Sequence, residues 1–337
     1  MTLTRRQMMA LTGAGIALPQ VAASQSRVLP AFIPTAVIDA AFDMTRRTGM
    51  MEMLVARKVR TVFRYYAYKD QPERNLPHKV LRKHEAEALW DAGINIGAVF
   101  QYNNDKLESI TPERGKADAE HALDYAQSVI GQPAGSAIYF GVDGSWHGAA
   151  QLAGVMAYFE AVRAAFQRGG NRYRVGAYGS GLVLGRLLDA GLVDLSWLAL
   201  SRGWPGTRQF YNSERWNLFQ FSHHLWFGKN QVDGNVINPV AADFGDFGRN
   251  SVATPQDFGT AFLLKDQFYF SNRRKAAVYE KPDSGSAVVQ TLTLAFNPII
   301  LKSLKNWHAV SLDGTDRIAG YVKAEVLTAS SQMPEYR

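Results

Sequence analysis

Between about residues 35 and 190, short apolar runs alternate with segments whose apolar positions recur at helical spacing. Residues 36–39, 61–66, 95–102, 138–143 and 174–178 read as strands, being rich in β-branched and aromatic residues. Stretches at 50–56, 82–91, 115–130, 150–167 and 181–190 read as helices, and Gly93 and the pair Gly169-Gly170 stop two of them. Strand–helix units in series predict a parallel sheet with right-handed crossovers. After Gly191 the pattern changes: 195–200, 216–221 and 231–236 look like strands with no helix-length segment between them. The predicted class is α/β, a TIM-like (β/α) barrel of five βα units plus three closing strands. An open doubly wound sheet is the competing architecture. It calls for a Gly-rich phosphate loop after an early strand, and Gly179-Ser180-Gly181 lacks that spacing.

Residues 240–260 are rich in Gly, Asp, Asn and Phe without a periodic apolar face, and read as a linker. Beyond them short β-rich runs recur at 276–280, 287–292, 298–301, 307–311 and 318–322, with turn residues at Pro282-Asp283-Ser284-Gly285 and Asp313-Gly314. The expected division is a barrel over 30–240, a linker over 241–262 and a small all-β barrel over 263–330.

The first 23 residues stand apart from this plan. Arg5 and Arg6 precede a short apolar stretch broken by Thr12, Gly13, Gly15 and Pro19, and Val21-Ala22-Ala23 offers small residues for cleavage. This is the pattern of a twin-arginine (Tat) signal peptide, against the alternative of a chance arginine pair. It predicts the Tat translocon as a partner during export, a periplasmic or extracellular destination, and no membrane span after cleavage. Cysteine is absent, so no disulfide supports the fold there. The formal charge of +7 falls to +5 without Arg5 and Arg6, which suits an anionic envelope polymer. Lys and Arg are scattered along the chain, which argues against nucleic acid as a partner.

One apolar run carries candidate chemistry. Residues 138–143 end in Asp143, and side chains at the C-terminal ends of parallel strands face the ligand site. Asp143 is therefore either a working carboxylate or a cap for the next helix. Tyr65, Gln101, Tyr102, Tyr178, Trp204 and Gln220 fall on or just after strand ends, where rings stack on sugars and amides orient hydroxyls; each alone also fits ordinary packing. No metal or cofactor is predicted. His223 and His224 are adjacent, and on a strand they point to opposite faces. Ser180 lacks the first glycine of a nucleophile elbow and reads as a loop residue.

Several blocks, in order, resemble an exported glycoside-hydrolase-like domain of unassigned function that is distantly similar to the family twenty-five lysozymes. They are VIDAAFD (37–43), TVFRYYAY (61–68), KVLRKHEAEALWDAGINIGAVFQY (79–102), GSAIYFGVD (135–143), YRVGAYGSG (173–181), WLALSRGWPGT (197–207), WNLFQF (216–221) and VDGNV (232–236). The lysozymes carry carboxylates at the ends of the first, fourth and last strands. By position the resemblance implies Asp39 (or Asp43), Asp143 and Asp233 as the catalytic set. The lysozymes' fourth strand ends in Asp-x-Glu, whereas Gly141 and Asp143 stand here, so one acid is absent. Residues 265–328 resemble a bacterial SH3-like domain through Trp307 and Gly320-Tyr321-Val322, which implies a cell-wall ligand.

Glycosidic cleavage needs one protonated carboxyl and a second carboxylate, or the substrate's own acetamido group. The expected roles are Asp143 as general acid, with Asp39 and Asp233 as the second carboxylate or electrostatic partners; Asp233, before Gly234-Asn235, also fits a turn. The expected activity is hydrolysis of a peptidoglycan-like polymer of the cell envelope. The alternatives are a non-catalytic cell-wall glycan-binding protein on a degenerate barrel and a structural envelope protein.

Overall fold

Eight strands close into a barrel in which each pairs with its sequence neighbours: β1 (Val37–Asp39), β2 (Thr61–Tyr66), β3 (Asn95–Phe100), β4 (Ala137–Gly141), β5 (Arg174–Gly179), β6 (Leu195–Leu198), β7 (Leu218–Phe227) and β8 (Asn230–Ile237). The computed structural model describes residues 37–201, 203–238, 241, 243–253, 269–293, 296–313 and 317–329. The expected signal at 1–23 and the linker stretch 254–262 lie outside them. Strands β1 to β7 run parallel, and β8 is antiparallel to both β7 and β1. The crossovers carry α1 (Met50–Ala56), α2 (Lys83–Asp91), α3 (Pro112–Asp124), α4 (Ala149–Arg168), α5 (Gly181–Asp189) and α6 (Thr207–Asn212). The sequence expectation of no helix between 200 and 216 is corrected by α6, a six-residue helix that returns the chain so that β7 joins in parallel.

Period-two alternation along the strands sorts residues between two cores. Outward positions such as Ile38, Val62, Ile96, Phe100, Phe140 and Val175 pack under the helices against Leu54, Leu89, Phe159 and Leu187. Inward positions Val37, Phe63, Val99, Tyr139, Leu195, Trp197 and Leu218 fill the barrel. Two strand glycines make room for the large rings. A Cβ on Gly97 would lie 2.5 Å from the Phe63 ring, and one on Gly176 would lie 2.5 Å from the Tyr139 ring. Outside the barrel Arg64 is fully buried, with its Nε 2.7 Å from Glu85 Oε1 and further bonds donated to the carbonyls of Ala40 and His78. This pair ties α2 to β2 and to the loops that follow β1 and precede α2.

Residues 243–253 do not behave as a linker. Phe244 and Phe247 are fully buried, Phe247 bridges to Ile96, and the Tyr139 hydroxyl donates to the Phe244 carbonyl at 2.9 Å. The segment closes the N-terminal end of the barrel, so the barrel unit extends past the expected boundary at 240. Two phenylalanines three residues apart carry no periodic signal, which is why the sequence hides their role.

The C-terminal residues form a separate all-antiparallel sheet. Its strands are β10 (Ala276–Tyr279), β11 (Val288–Leu292), β12 (Ile299–Ser303), β13 (Trp307–Ser311) and β14 (Gly320–Lys323), in the order β11-β10-β14-β13-β12. A two-stranded pair, β9 (Tyr269–Ser271) with β15 (Leu327–Ala329), accompanies it. Ala276, Val278, Leu292, Val310, Val322 and Leu327 make its core. Asn297 joins the two units, accepting from the Trp226 amide of β7 at 3.2 Å and donating to the Tyr269 carbonyl at 2.9 Å. No helix among the described residues is long and apolar enough to cross a membrane.

Candidate active site

The alternation that fills the barrel also aims the residues at its C-terminal mouth. Two positions beyond Phe63, Val99, Gly176 and Leu218 stand Tyr65, Gln101, Tyr178 and Gln220, and beyond Tyr139 come Gly141 and Asp143. Because β8 runs backwards, its early residues reach the same end, and Asp233 sits directly opposite Asp39 in the β1–β8 register. Together Asp39, Asp143, Asp233, Tyr65, Gln101, Tyr178, Gln220, Trp197, Val99, Gly141 and Ser201 enclose a cavity of about 330 Å³.

Each carboxylate accepts from neutral donors. Asp39 is 4% exposed and accepts from Asn235 Nδ2 at 2.9 Å and from the Tyr65 hydroxyl at 3.3 Å. Asn235 in turn accepts from Trp197 Nε1 at 2.7 Å, so the floor of the cavity orients Asp39. Asp233 accepts from Gln220 Nε2 at 2.9 Å, and Gln220 Oε1 accepts from the Tyr178 hydroxyl at 2.8 Å. Asp143 accepts from Gln101 Nε2 at 3.2 Å. Burial, reinforced by the negative charges of all three aspartates, pushes the Tyr65 and Tyr178 hydroxyls well above the ordinary tyrosine range. Both therefore stay neutral donors.

The cap reading of Asp143 falls away. Helix α4 begins after Gly148, whose amide donates to Gln151 Oε1 at 3.0 Å, five positions beyond Asp143. Asp43 also leaves the candidate set. It is 2% exposed, lies outside the cavity walls, caps the 3₁₀ turn at Met44–Arg46 through Thr45, and meets His84 Nε2 at 3.0 Å. Burial raises its pKa, but the bonds from Thr45 and His84 outweigh that and leave it lowered.

Two expected lining residues are elsewhere. Tyr102 packs on Tyr68 and under the Arg114 guanidinium, toward the helix layer. Trp204 stands in the loop before α6 and is not among the cavity walls. Its amide donates to the Ser201 carbonyl at 3.0 Å, which turns that loop over beside the cavity. Sequence reasoning missed Trp197, Ser201, Val99 and Asn235. Asn235 and Trp197 are recoverable by counting two positions along the strand from Asp233 and from Leu195. Lys79 is not, because it lies in a loop with no periodic pattern; its Nζ donates to Gln101 Oε1 at 3.3 Å behind the cavity wall. Gly141 has a local reason as well. A Cβ there would meet Gln101 Cγ at 3.2 Å, so a side chain at 141 requires Gln101 to give way by a few tenths of an ångström. Among the described residues no group of three or more His, Cys, Asp or Glu is placed to hold a metal ion.

Three likenesses to known proteins accompany this geometry. The model of the Rv2525c-like, glycoside hydrolase-like domain matches residues 52–244. Among curated proteins, the uncharacterized protein YbfG of Bacillus subtilis (strain 168) is 26% identical over 168 residues, 48% of this chain and 23% of the relative. The match thus spans less than a quarter of that relative's length. Among solved structures, the Tat-secreted protein Rv2525c of Mycobacterium tuberculosis, in complex with HEPES, superposes with a TM-score of 0.51 at 20% identity, covering 62% of this chain and 97% of the other. At that identity the likeness speaks for the fold.

Proposed function

The chain belongs to the Rv2525c-like, glycoside hydrolase-like family, and from that premise we propose that its barrel mouth cleaves glycosidic bonds in a peptidoglycan-like polymer of the cell envelope. The observation that carries this reading is the convergence of Asp39, Asp143 and Asp233 on one cavity of about 330 Å³. Acid/base cleavage of a glycoside needs two such groups across a space that admits a sugar ring. In this reading Asp143, oriented by the Gln101 amide, delivers the proton to the leaving oxygen. Asp39 and Asp233 supply the opposing negative charge. Tyr65 donates to Asp39, and Tyr178 donates to Gln220, as neutral hydroxyls. Trp197 gives the sugar an apolar floor.

Incubating the purified protein with peptidoglycan and analysing the soluble fragments by mass spectrometry tests this. Release of fragments with new reducing ends, lost in Asp143→Asn, is the expected result. Binding without release gives the second reading, a non-catalytic glycan-binding barrel. Gly141 favours that reading, because it leaves the end of the fourth strand with one acid, Asp143, where the lysozymes carry two.

The twin arginine at Arg5-Arg6 supports export by the Tat route to the periplasm or beyond. Fusing residues 1–30 to a folded reporter is expected to export it, and changing both arginines to Lys is expected to block that export. The C-terminal unit, read as SH3-like, serves in this proposal to hold the protein on the wall.

A further inference from the structure

A row of hydrogen-bonded side chains runs from the protein surface to the cavity. Asp105 Oδ2 accepts from Arg74 Nη2 at 3.2 Å, and Asn103 Oδ1 accepts from Arg74 Nη1 at 2.9 Å and from Gln71 Nε2 at 3.0 Å. Lys79 Nζ then donates to Gln71 Oε1 and to Gln101 Oε1, each at 3.3 Å, and Gln101 Nε2 donates to Asp143 Oδ2 at 3.2 Å. Lys79 stands at the centre of the row. It is 3% exposed, and its Nζ lies 4.7 Å from the centroid of the Tyr65 ring.

The chemistry of an ammonium dictates the direction of every bond around it. It has donors and no acceptor, so both glutamines must turn their carbonyl oxygens toward it and their NH₂ groups away. For Gln71 the NH₂ then meets Asn103; for Gln101 it meets Asp143. A hydrogen bond donated to a carboxylate favours its charged form, and so does a positive charge nearby, whereas the negative charges of Asp39 and Asp233 on the same cavity favour the protonated form that a general acid needs. We infer that Lys79 is a positioning residue that sets the proton affinity of Asp143 by fixing the Gln101 amide. The inference rests on Asp143 being a working group of the cavity.

The charges around the pair are defined. Arg74, Arg64, Asp105 and Asp143 act on Lys79, whose pKa falls to about 8, chiefly through burial and then through Arg74. Around Asp143 the cavity also brings Asp39, Asp233, Tyr65 and Tyr178.

The test is carboxyl ¹³C NMR of protein labelled at aspartate, with the Asp143 signal assigned from its absence in Asp143→Asn. In Lys79→Met the Asp143 midpoint is expected to rise by about one pH unit. In the wild type the Asp143 signal is expected to show a second, smaller step near pH 8, where Lys79 loses its proton. Lys79→Arg stays charged and can still donate to both glutamines, so it is expected to keep the wild-type midpoint and lose that step. An unmoved midpoint in a cooperatively melting Lys79→Met protein overturns the inference. So does an equal rise in Lys79→Arg. Should Lys79→Met not fold, the wild-type titration decides, and absence of the step near pH 8 overturns the inference. The readout does not depend on glycan cleavage, so an inactive protein with the expected titration refutes only the hydrolase proposal, and an active one without it refutes only the role of Lys79.

Discussion

Asp246 at the N-terminal end of the barrel and the three aspartates at its C-terminal mouth are all acidic groups that accept from neutral donors. Asp246 is 2% exposed, and its Oδ2 accepts from Thr61 Oγ1 at 2.6 Å and Asn95 Nδ2 at 3.1 Å. Burial raises its pKa, with Arg60 acting against that from 3.5 Å. Phe244 and Phe247 stand on either side of it in sequence, both fully buried. At the mouth, Asp39 is nearly as buried at 4%, yet it borders a cavity of about 330 Å³ shared with Asp143 and Asp233. Burial and hydrogen bonding therefore do not distinguish a carboxylate that fastens the fold from one that can meet a ligand. Shared open space does.

The largest expected effect falls at the closed end. Phe244→Ala removes a fully buried ring and is expected to cost about 3–5 kcal/mol in urea unfolding, while leaving glycan binding by the folded fraction unchanged. A loss of binding in the folded fraction would show that the two ends of the barrel do not act independently.

Next comes the pH dependence built into Lys79. Its folded pKa of about 8 lies below the 10.5 of an ordinary lysine, so between those values the unfolded chain binds more protons than the folded one. By linkage its contribution to stability rises with pH across that window, by about 3 kcal/mol in all. Lys79→Met is expected to remove the rise, as measured by denaturant midpoints at pH 8 and pH 10.5. Tyr65 and Tyr178, whose pKa values are raised, act in the opposite sense above the ordinary tyrosine value of 10.0. An identical pH slope in the two proteins would contradict a buried ammonium behind the mouth.

The smallest effect is expected at Asp43. Asp43→Ala removes a cap and is expected to cost about 1 kcal/mol in thermal unfolding, with hydrolysis per folded molecule unchanged. A large loss of hydrolysis would return Asp43 to the mouth's working set.

The mouth is easier to read from sequence than the floor, for physical reasons. The run 138–143 ends its apolar stretch in a charged residue, and that contrast marks Asp143 directly. Asp39 closes a strand of three residues, and Asp233 precedes Gly234; neither has a pattern of its own, and both come from family resemblance. Strand periodicity finds all the segments of the closed barrel, including the reversed last one. Helix α6 escapes it because that helix has only six residues, without a side-chain cap at Gly206. Tyr102 and Trp204 follow strand ends, which suggests the cavity, but the turn of the chain after a strand redirects side chains in ways alternation does not encode. The segment 243–253 is opaque for another reason. Its burial comes from contacts across the barrel, with Phe63 and Ile96, that no local pattern announces.

In the proposal above, the carboxylates at the mouth work on a glycan while Asp246 at the closed N-terminal end holds the fold. Reducing-end release from peptidoglycan, compared among wild type, Asp143→Asn and Asp246→Asn and normalised to folded protein, tests it most directly. Asp143→Asn is expected to lose at least about 100-fold in rate, and Asp246→Asn to retain the wild-type rate. Full activity in Asp143→Asn, or its loss in folded Asp246→Asn, would contradict that claim.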